Sequence, residues 1–263
     1  MTSHPGMPGS LLSQSWLQAH RLLTRWRRNR AVLMGSLLFP VCLLLLYEML
    51  LAEQVRKVTG SDSVYGLVPT SAVLSAVLGA LGNGVGITID RQSGLISRMW
   101  VLPVHRASPL TGRLTAEATR ALIGTVLITA LGLTMGLRFT HGWAAALVYI
   151  LIPSVMVVGF TALLMALVIR SDGRAMTTWV MGATTALAFT NPGTTPIRLF
   201  PPWLQPFVRM QPLSPPIEAM RALSYGGPIL WPLAMTLIWT ILLLAVFIPI
   251  AVRGYRVAAE SPT

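Results

Sequence analysis

The chain has 263 residues, of which 54% are hydrophobic and only 11% are charged, and its formal net charge is +12. Because a soluble domain carries about 25% charged residues, this composition excludes an ordinary water-soluble protein and indicates an integral membrane protein. Nucleic-acid binding does not explain the positive charge, since the basic residues lie in short loops between apolar runs. There they set membrane topology and contact lipid headgroups.

The first predicted element is an amphipathic helix over residues 11–30. Its apolar residues recur on one helical face, at Leu12, Trp16, Ala19, Leu23 and Trp26. Glutamines and arginines occupy the remaining faces. A helix with this pattern is suited to lying in the headgroup layer of a membrane. The alternative is an ordinary polar N-terminal extension.

Six apolar runs follow, at 31–51, 64–89, 114–136, 143–169, 175–190 and 229–252. A helix needs about 20 residues to cross the hydrocarbon, and five of the runs have that length. The fifth run is short and rich in threonine, so it spans only if the bilayer thins or the helix continues toward Pro192. The sequence therefore predicts an all-α membrane protein with six transmembrane helices in one domain, 1–263.

The basic residues predict the orientation of these spans. If the N-terminus is inside, thirteen arginines fall on the inner side, and six basic residues fall on the outer side. The positive-inside rule then places both termini in the cytoplasm of a cell that is expected to be bacterial. The first run is retained as a span of the plasma membrane, since it is too long for a signal peptide and has no cleavage site.

The segment 191–228 contains nine of the nineteen prolines and many large apolar residues. Proline prevents one long helix but permits short ones. We expect two short helices that dip into the outer leaflet and return, as a re-entrant hairpin on the extracytoplasmic side. The alternative is a surface loop anchored by a tryptophan.

The sequence lacks the residues of the common catalytic sites. A P-loop ends in Gly-Lys-Ser/Thr, and the only lysine, Lys57, is followed by Val58. None of the four histidines has the spacing of a metal site. We therefore predict no catalytic residue, no metal and no cofactor bound by this chain, so that energy from ATP has to come from another subunit.

Two ionisable residues lie within the third apolar run. Glu117 and Arg120 are three residues apart, so they share a helix face and can pair. Charged groups inside a membrane are candidates for a role in transport. The alternative is a structural pair, because Arg120 lies six residues from the predicted cytoplasmic end and its side chain can reach the interface.

A basic amphipathic segment separates the second and third runs. Leu95, Met99 and Leu102 form a helical stripe flanked by cations, and Pro103 ends the helix. This pattern predicts a short helix, 91–102, along the inner membrane face. Such a helix either anchors in the headgroups or fills a groove on a partner protein.

Two motifs resemble the permease subunits of ABC-2 type exporters, near the daunorubicin-resistance and mycobacterial lipid-export branches. The first is Asp-Arg-x-x-Gly-Leu-x-x-Arg-x-x-x-Leu-Pro-Val-x-Arg at 90–106. The second is Pro-Trp-Leu-Gln-Pro-Phe at 202–207, followed by Gln-Pro-Leu at 211–213 and Glu-Ala-Met-Arg at 218–221. The chain departs from the family at Asp90, where glutamate is usual, at Ser97, where an acidic residue is common, and at Gln211, which replaces asparagine.

The resemblance implies partners and roles. A separate ABC ATPase subunit would hold ATP and Mg²⁺, and a second permease, identical or related, would complete the membrane core. The residues implied in ATPase coupling are Asp90, Arg91, Gly94, Leu95, Arg98, Met99, Leu102, Pro103 and Arg106. The residues implied in an outer gate are Trp203, Phe207, Pro212 and Arg221. The expected substrate is an amphipathic lipid or a hydrophobic drug; the competing functions are a membrane-embedded lipid-modifying enzyme and a non-catalytic membrane scaffold or channel.

Overall fold

The computed structural model describes residues 11–60, 62–92, 108–170 and 173–260. Within these residues the chain forms α-helices and one short 3₁₀ turn, Ile197–Leu199, with no strand. The helices are α1 (Leu11–Arg28), α2 (Arg30–Thr59), α3 (Val64–Gln92), α4 (Ser108–Thr134), α5 (Gly142–Arg170), α6 (Gly173–Phe189), α7 (Gln205–Met210), α8 (Ser214–Tyr225) and α9 (Leu230–Glu260).

Five of these helices are long and apolar enough to cross a membrane: α2, α3, α4, α5 and α9. They correspond to the five long runs of the sequence, so the prediction of a helical integral membrane protein is confirmed. The fifth predicted span is also a helix, α6, with 17 residues. At about 1.5 Å per residue it is about 26 Å long, slightly less than the usual hydrocarbon thickness.

The bundle is built around α3 and α5. Within the 18-residue apolar stretch of each helix, 78% of the residues are buried in the chain for α3 and α5, against 11% for α2 and 17% for α9. The helix α8 lies between α3, α5 and α9, where its Ile217 and Met220 are completely buried. The outer faces of α2 and α9 expose large apolar side chains, which fits contact with lipid because a hydrocarbon environment does not penalise apolar surface.

The helix α4 begins at Ser108, six residues before the predicted start of its span. These additional residues include small and polar ones that pack against α1, and Leu110, which is buried against α5 and α9. A Cβ atom on Gly112 would lie 2.5 Å from the Cβ of Gln18, and the hydroxyl oxygens of Ser15 and Thr111 are 2.6 Å apart. The glycine thus permits the close approach of the two helices, and the hydroxyl pair fixes their register.

The predicted N-terminal helix is present as α1, and the residues of its predicted apolar stripe differ in their surroundings. Ser15 and Ala19 are buried against the bundle, whereas Trp16 is 62% exposed. At its other end the indole Nε1 of Trp26 donates a hydrogen bond to the hydroxyl of Ser36 in α2, at 2.8 Å. This hydrogen bond therefore links α1 to α2 across the break in the helix at Asn29.

We expect the Gly112→Val substitution to detach α1 from α4, because the new side chain would overlap Gln18 and the backbone of Ser15. Overpacking of this kind costs about 1–3 kcal/mol. Limited proteolysis should then cleave the variant near residues 11–28 faster than the parent chain. Gly124→Val is the control, since a Cβ at Gly124 in the same helix meets no described atom within 4 Å. Equal protection of both variants would contradict the packing described above.

Candidate functional site

The predicted coupling helix, 91–102, lies almost entirely outside the described residues. Asp90 and Arg91 belong to the last turn of α3. The other residues implied in coupling fall in the part that the structure leaves out: Gly94, Leu95, Arg98, Met99, Leu102, Pro103 and Arg106. The segment joins α3 to the start of α4, and α1 is docked on that same first turn of α4.

Glu117 and Arg120 form an ion pair inside the bundle, with Arg120 Nη2 2.6 Å from Glu117 Oε2. Their side chains are 7% and 12% exposed, respectively. Because α4 begins at Ser108, Arg120 lies twelve residues from the end of the helix rather than the predicted six. It lies against α3, where a Cβ on Gly79 would be 2.9 Å from Nη2. The pairing that the spacing predicted is therefore present, and the contribution of these residues to transport stays a prediction.

We expect Arg120→Met to destabilise the protein by up to about 3–5 kcal/mol, because it removes the guanidinium group that pairs with the buried carboxylate of Glu117. The double variant Glu117→Gln/Arg120→Met should recover most of this loss, since both charges are then absent. Thermal unfolding of the purified chain in detergent measures both effects. If the double variant is as unstable as the single one, the pair is not what balances the buried charge.

The four residues implied in an outer gate differ in their surroundings. Trp203 is 77% exposed and Phe207 is 53% exposed, so both aromatic rings lie on the surface of the chain. Pro212 and Arg221 are half-buried. The two short helices expected in this region are α7 and α8. Their depth in a membrane stays a prediction.

A polar contact that we name the outer clasp joins the end of α6 to α3; it consists of Gly66, Thr70, Asn191 and Gly193. The side-chain oxygen Oδ1 of Asn191 accepts hydrogen bonds from the backbone N–H of Gly193 at 2.9 Å and from the hydroxyl of Thr70 at 3.3 Å. The backbones of Gly66 and Gly193 approach so closely that neither residue has room for a Cβ. Both Thr70 and Asn191 are completely buried.

Two further side chains, Gln211 and Trp239, hold the segment that contains α7 and α8 in place. The amide Nε2 of Gln211 donates to the carbonyl of Thr190 at 2.5 Å and to the hydroxyl of Ser214 at 2.8 Å. The indole Nε1 of Trp239 in α9 donates to the carbonyl of Met210 at 2.9 Å. Sequence analysis did not identify these residues as a site. The Asn-Pro-Gly turn at 191–193 was the available signal, but no sequence pattern connects it to Thr70.

Burial raises the pKa of Glu218 in α8 above its ordinary value, while the guanidinium groups of Arg209 and Arg221 act in the opposite direction. A carboxyl group whose pKa is raised on folding stabilises the fold below its ordinary pKa, and this contribution is lost as the pH rises through the raised value. Among the described residues no group of three or more histidine, cysteine or acidic side chains could hold a metal ion.

The bundle and its buried polar contacts define a helical membrane protein with several spans. Residues 51–253 match the family described as ABC-2 family transporter protein. The chain is 33% identical over 260 residues to the probable doxorubicin resistance ABC transporter permease protein DrrC of Mycobacterium tuberculosis, covering 96% of this chain and 94% of that protein.

Two further relatives are more distant. The daunorubicin resistance ABC transporter permease protein DrrB1 of Streptomyces coeruleorubidus is 25% identical over 237 residues, covering 90% of this chain and 83% of the relative. The putative transport permease ycf38 of Porphyra purpurea is 26% identical over 200 residues, covering 74% and 68%. The chain belongs to the ABC-2 transporter family, as its two motifs predicted.

Proposed function

We propose that this chain is the permease subunit of an ATP-driven exporter and that it works with a separate ATPase subunit. The observation that carries the proposal is the match to ABC transporter permease proteins along 96% of the chain. The sequence supports assigning ATP hydrolysis to another subunit, because a P-loop requires a lysine before Ser or Thr and the only lysine, Lys57, precedes Val58. ATP and Mg²⁺ would be bound by the partner.

The proposed topology has six spans across the plasma membrane, with both termini in the cytoplasm. The five long helices account for five of these spans. The remaining one, fifth in chain order, is α6, and one contact supports its assignment as a span. The chain leaves α5 at Arg170 and enters α6 at Gly173, while Asn191, just after α6, contacts Thr70 near the opposite end of the bundle, where α3 begins. A helix that connects both ends of a bundle of spans crosses the membrane with it. The distribution of basic residues gives the orientation.

In this proposal two permeases, identical or related, form the membrane core, and each presents helix 91–102 to an ATPase subunit. Leu95, Met99 and Leu102 fill a groove on that partner, and Arg98 and Arg106 contact its acidic groups. The docked helix α1 lies beside the same connection through its hydrogen bond to Thr111. A push on the coupling helix therefore reaches both α3 and α4.

The hairpin α7–α8 is proposed to gate release on the outer side as a re-entrant element, with Trp203 and Phe207 at its surface and Pro212 and Arg221 nearer the bundle. The substrate is proposed to be an amphipathic lipid or a hydrophobic drug. The names of the relatives associate them with resistance to doxorubicin and daunorubicin, which are drugs. The spans of this chain offer few charges to a strongly polar solute.

The test is reconstitution of the full chain with an ABC ATPase subunit of the same exporter family in inside-out vesicles. We expect ATP-dependent uptake of doxorubicin, or of a fluorescent phospholipid analogue in the lipid case, only when both subunits are present. A vesicle with an ATPase subunit that lacks its catalytic glutamate is the control for ATP-driven movement.

Two results would reject the proposal. Chemical modification of a lipid by the purified chain alone would instead support a membrane-embedded enzyme. If the chain inserts but never co-purifies with an ATPase subunit and moves neither probe, a scaffold without transport activity is the better description.

A further inference from the structure

A basic cavity of about 1000 Å³ lies at the elbow between α1 and α2. Four arginines, one histidine and one leucine contribute to its wall, namely Arg21, Arg25, Arg28, Arg30, His20 and Leu17. No acidic residue occurs among the residues that line it, nor anywhere in α1. The cavity is therefore a broad groove, open to its surroundings, with cationic side chains along an otherwise partly apolar wall.

The elbow has a defined geometry because both arms are attached to the bundle. The α1 arm is attached through the hydrogen bond between Ser15 and Thr111 and the close contact at Gly112. The α2 arm packs on α3 and α4, and the hydrogen bond from Trp26 to Ser36 joins the two arms to each other. The arginines are thus presented by a fixed backbone and not by a free tail, which lowers the entropic cost of binding a ligand.

The two attachments also define the depth of the cavity. Thr111 lies one turn inside a span that begins at Ser108, and Ser36 lies one turn inside a span that begins at Leu33. The elbow is consequently at the level where the apolar spans begin, which is the level of lipid headgroups. Leu17 at its wall and the neighbouring Trp16 are 66% and 62% exposed, so apolar surface lies directly beside the cations.

We propose that this cavity, the α1–α2 elbow site, binds the phosphodiester headgroup of an anionic phospholipid such as phosphatidylglycerol. Guanidinium groups match the oxygens of phosphate with paired hydrogen bonds, and the exposed Leu17 and Trp16 face the start of the acyl chains. A bound lipid would join the two arms of the elbow at the level of the headgroups.

The test compares two double variants of the full chain, purified in detergent, by native mass spectrometry with added phosphatidylglycerol. Arg21→Gln/Arg28→Gln removes two cations from the cavity, and Arg27→Gln/Arg253→Gln removes two exposed arginines that do not line it. Each cation near an anionic lipid contributes roughly fivefold to binding, so the first variant should retain about 25-fold less lipid. The second should retain an amount within about twofold of the parent.

A third variant, Leu17→Glu, tests the site without removing arginines, whose loss could itself change the membrane topology. It adds a carboxylate at an exposed wall position and leaves every cation in place, and acidic residues contribute little to orientation. It should also reduce retention of phosphatidylglycerol by at least about fivefold, with binding of phosphatidylcholine unchanged.

Three outcomes would overturn the proposal. Equal lipid retention by both double variants would show that the cavity has no special role. Complete displacement of the lipid by inorganic phosphate would assign the site to a free anion. Unchanged lipid retention together with loss of the co-purified ATPase subunit would make the elbow a protein-docking surface.

Discussion

The double substitution Leu95→Asp/Met99→Asp is expected to reduce ATP-dependent transport by at least about 30-fold while the chain still inserts into the membrane. Both residues lie on the predicted apolar stripe of helix 91–102. A charge placed in a desolvated groove of the partner costs at least about 2 kcal/mol, the usual effect of a central contact residue. Transport of doxorubicin into inside-out vesicles and co-purification of the ATPase subunit are the two measurements.

The matched control is Ser93→Asp/Ser97→Asp, which adds the same two charges to the same segment but away from the stripe. This variant should retain transport within about threefold of the parent, since a solvated surface charge costs little. If both double variants lose transport equally, the segment is sensitive to charge in general. Normal transport by Leu95→Asp/Met99→Asp would remove the coupling role altogether.

The Gly193→Ala substitution is expected to disrupt the outer clasp, because the surrounding atoms leave no room for a methyl group. The new Cβ would collide with the hydroxyl of Thr70, and it would lie 2.8 Å from the carbonyl oxygen of Gly66 and 2.9 Å from Ile217. Because the carbonyl belongs to a helix backbone, it cannot move aside as a flexible side chain can. We expect a loss of about 3 kcal/mol in the free energy of unfolding, together with at least tenfold slower transport.

Gly182→Ala in α6 provides the control, because a Cβ at this position meets no described atom within 4 Å. Replacing a glycine inside a helix by alanine should leave stability unchanged or raise it by up to about 1 kcal/mol. Thermal unfolding and transport assays on both variants distinguish the two expectations. A Gly193→Ala protein with the stability and transport of the parent would mean that the close approach of α3 and the clasp is not required.

The sequence predicted the helices well where a single physical rule determines them. Long apolar runs define α2, α3, α5 and α9, because only a helix satisfies its own backbone hydrogen bonds within lipid. The helix α4 begins six residues before the predicted span, since Ser108–Arg113 include polar and small residues that pack on α1, while Leu110 is buried against α5 and α9. A hydropathy rule cannot detect a segment that is buried by another part of the chain.

The candidate sites also differ in whether local sequence information was enough to predict them. The contact between Glu117 and Arg120 followed from a spacing of three residues, which is local information. The outer clasp did not, because Thr70 and Asn191 are separated by 121 residues and neither is unusual where it stands. The docking of α1 on α4 did not follow from the amphipathic pattern either, because Ser15 lies outside the apolar stripe and its partner Thr111 is 96 residues away in the sequence.

The first turn of α8 has a chemical consequence for the outer side of the bundle. Its residues Ser214, Pro215 and Pro216 are all buried, yet no N–H donor is left unsatisfied among them. Ser214 donates to the carbonyl of Gln211 at 3.2 Å, and proline has no N–H to donate. Helix N-termini ordinarily attract anions through their free N–H groups. The first turn of α8 is buried and has no unsatisfied N–H group, so it lacks this means of attracting an anion.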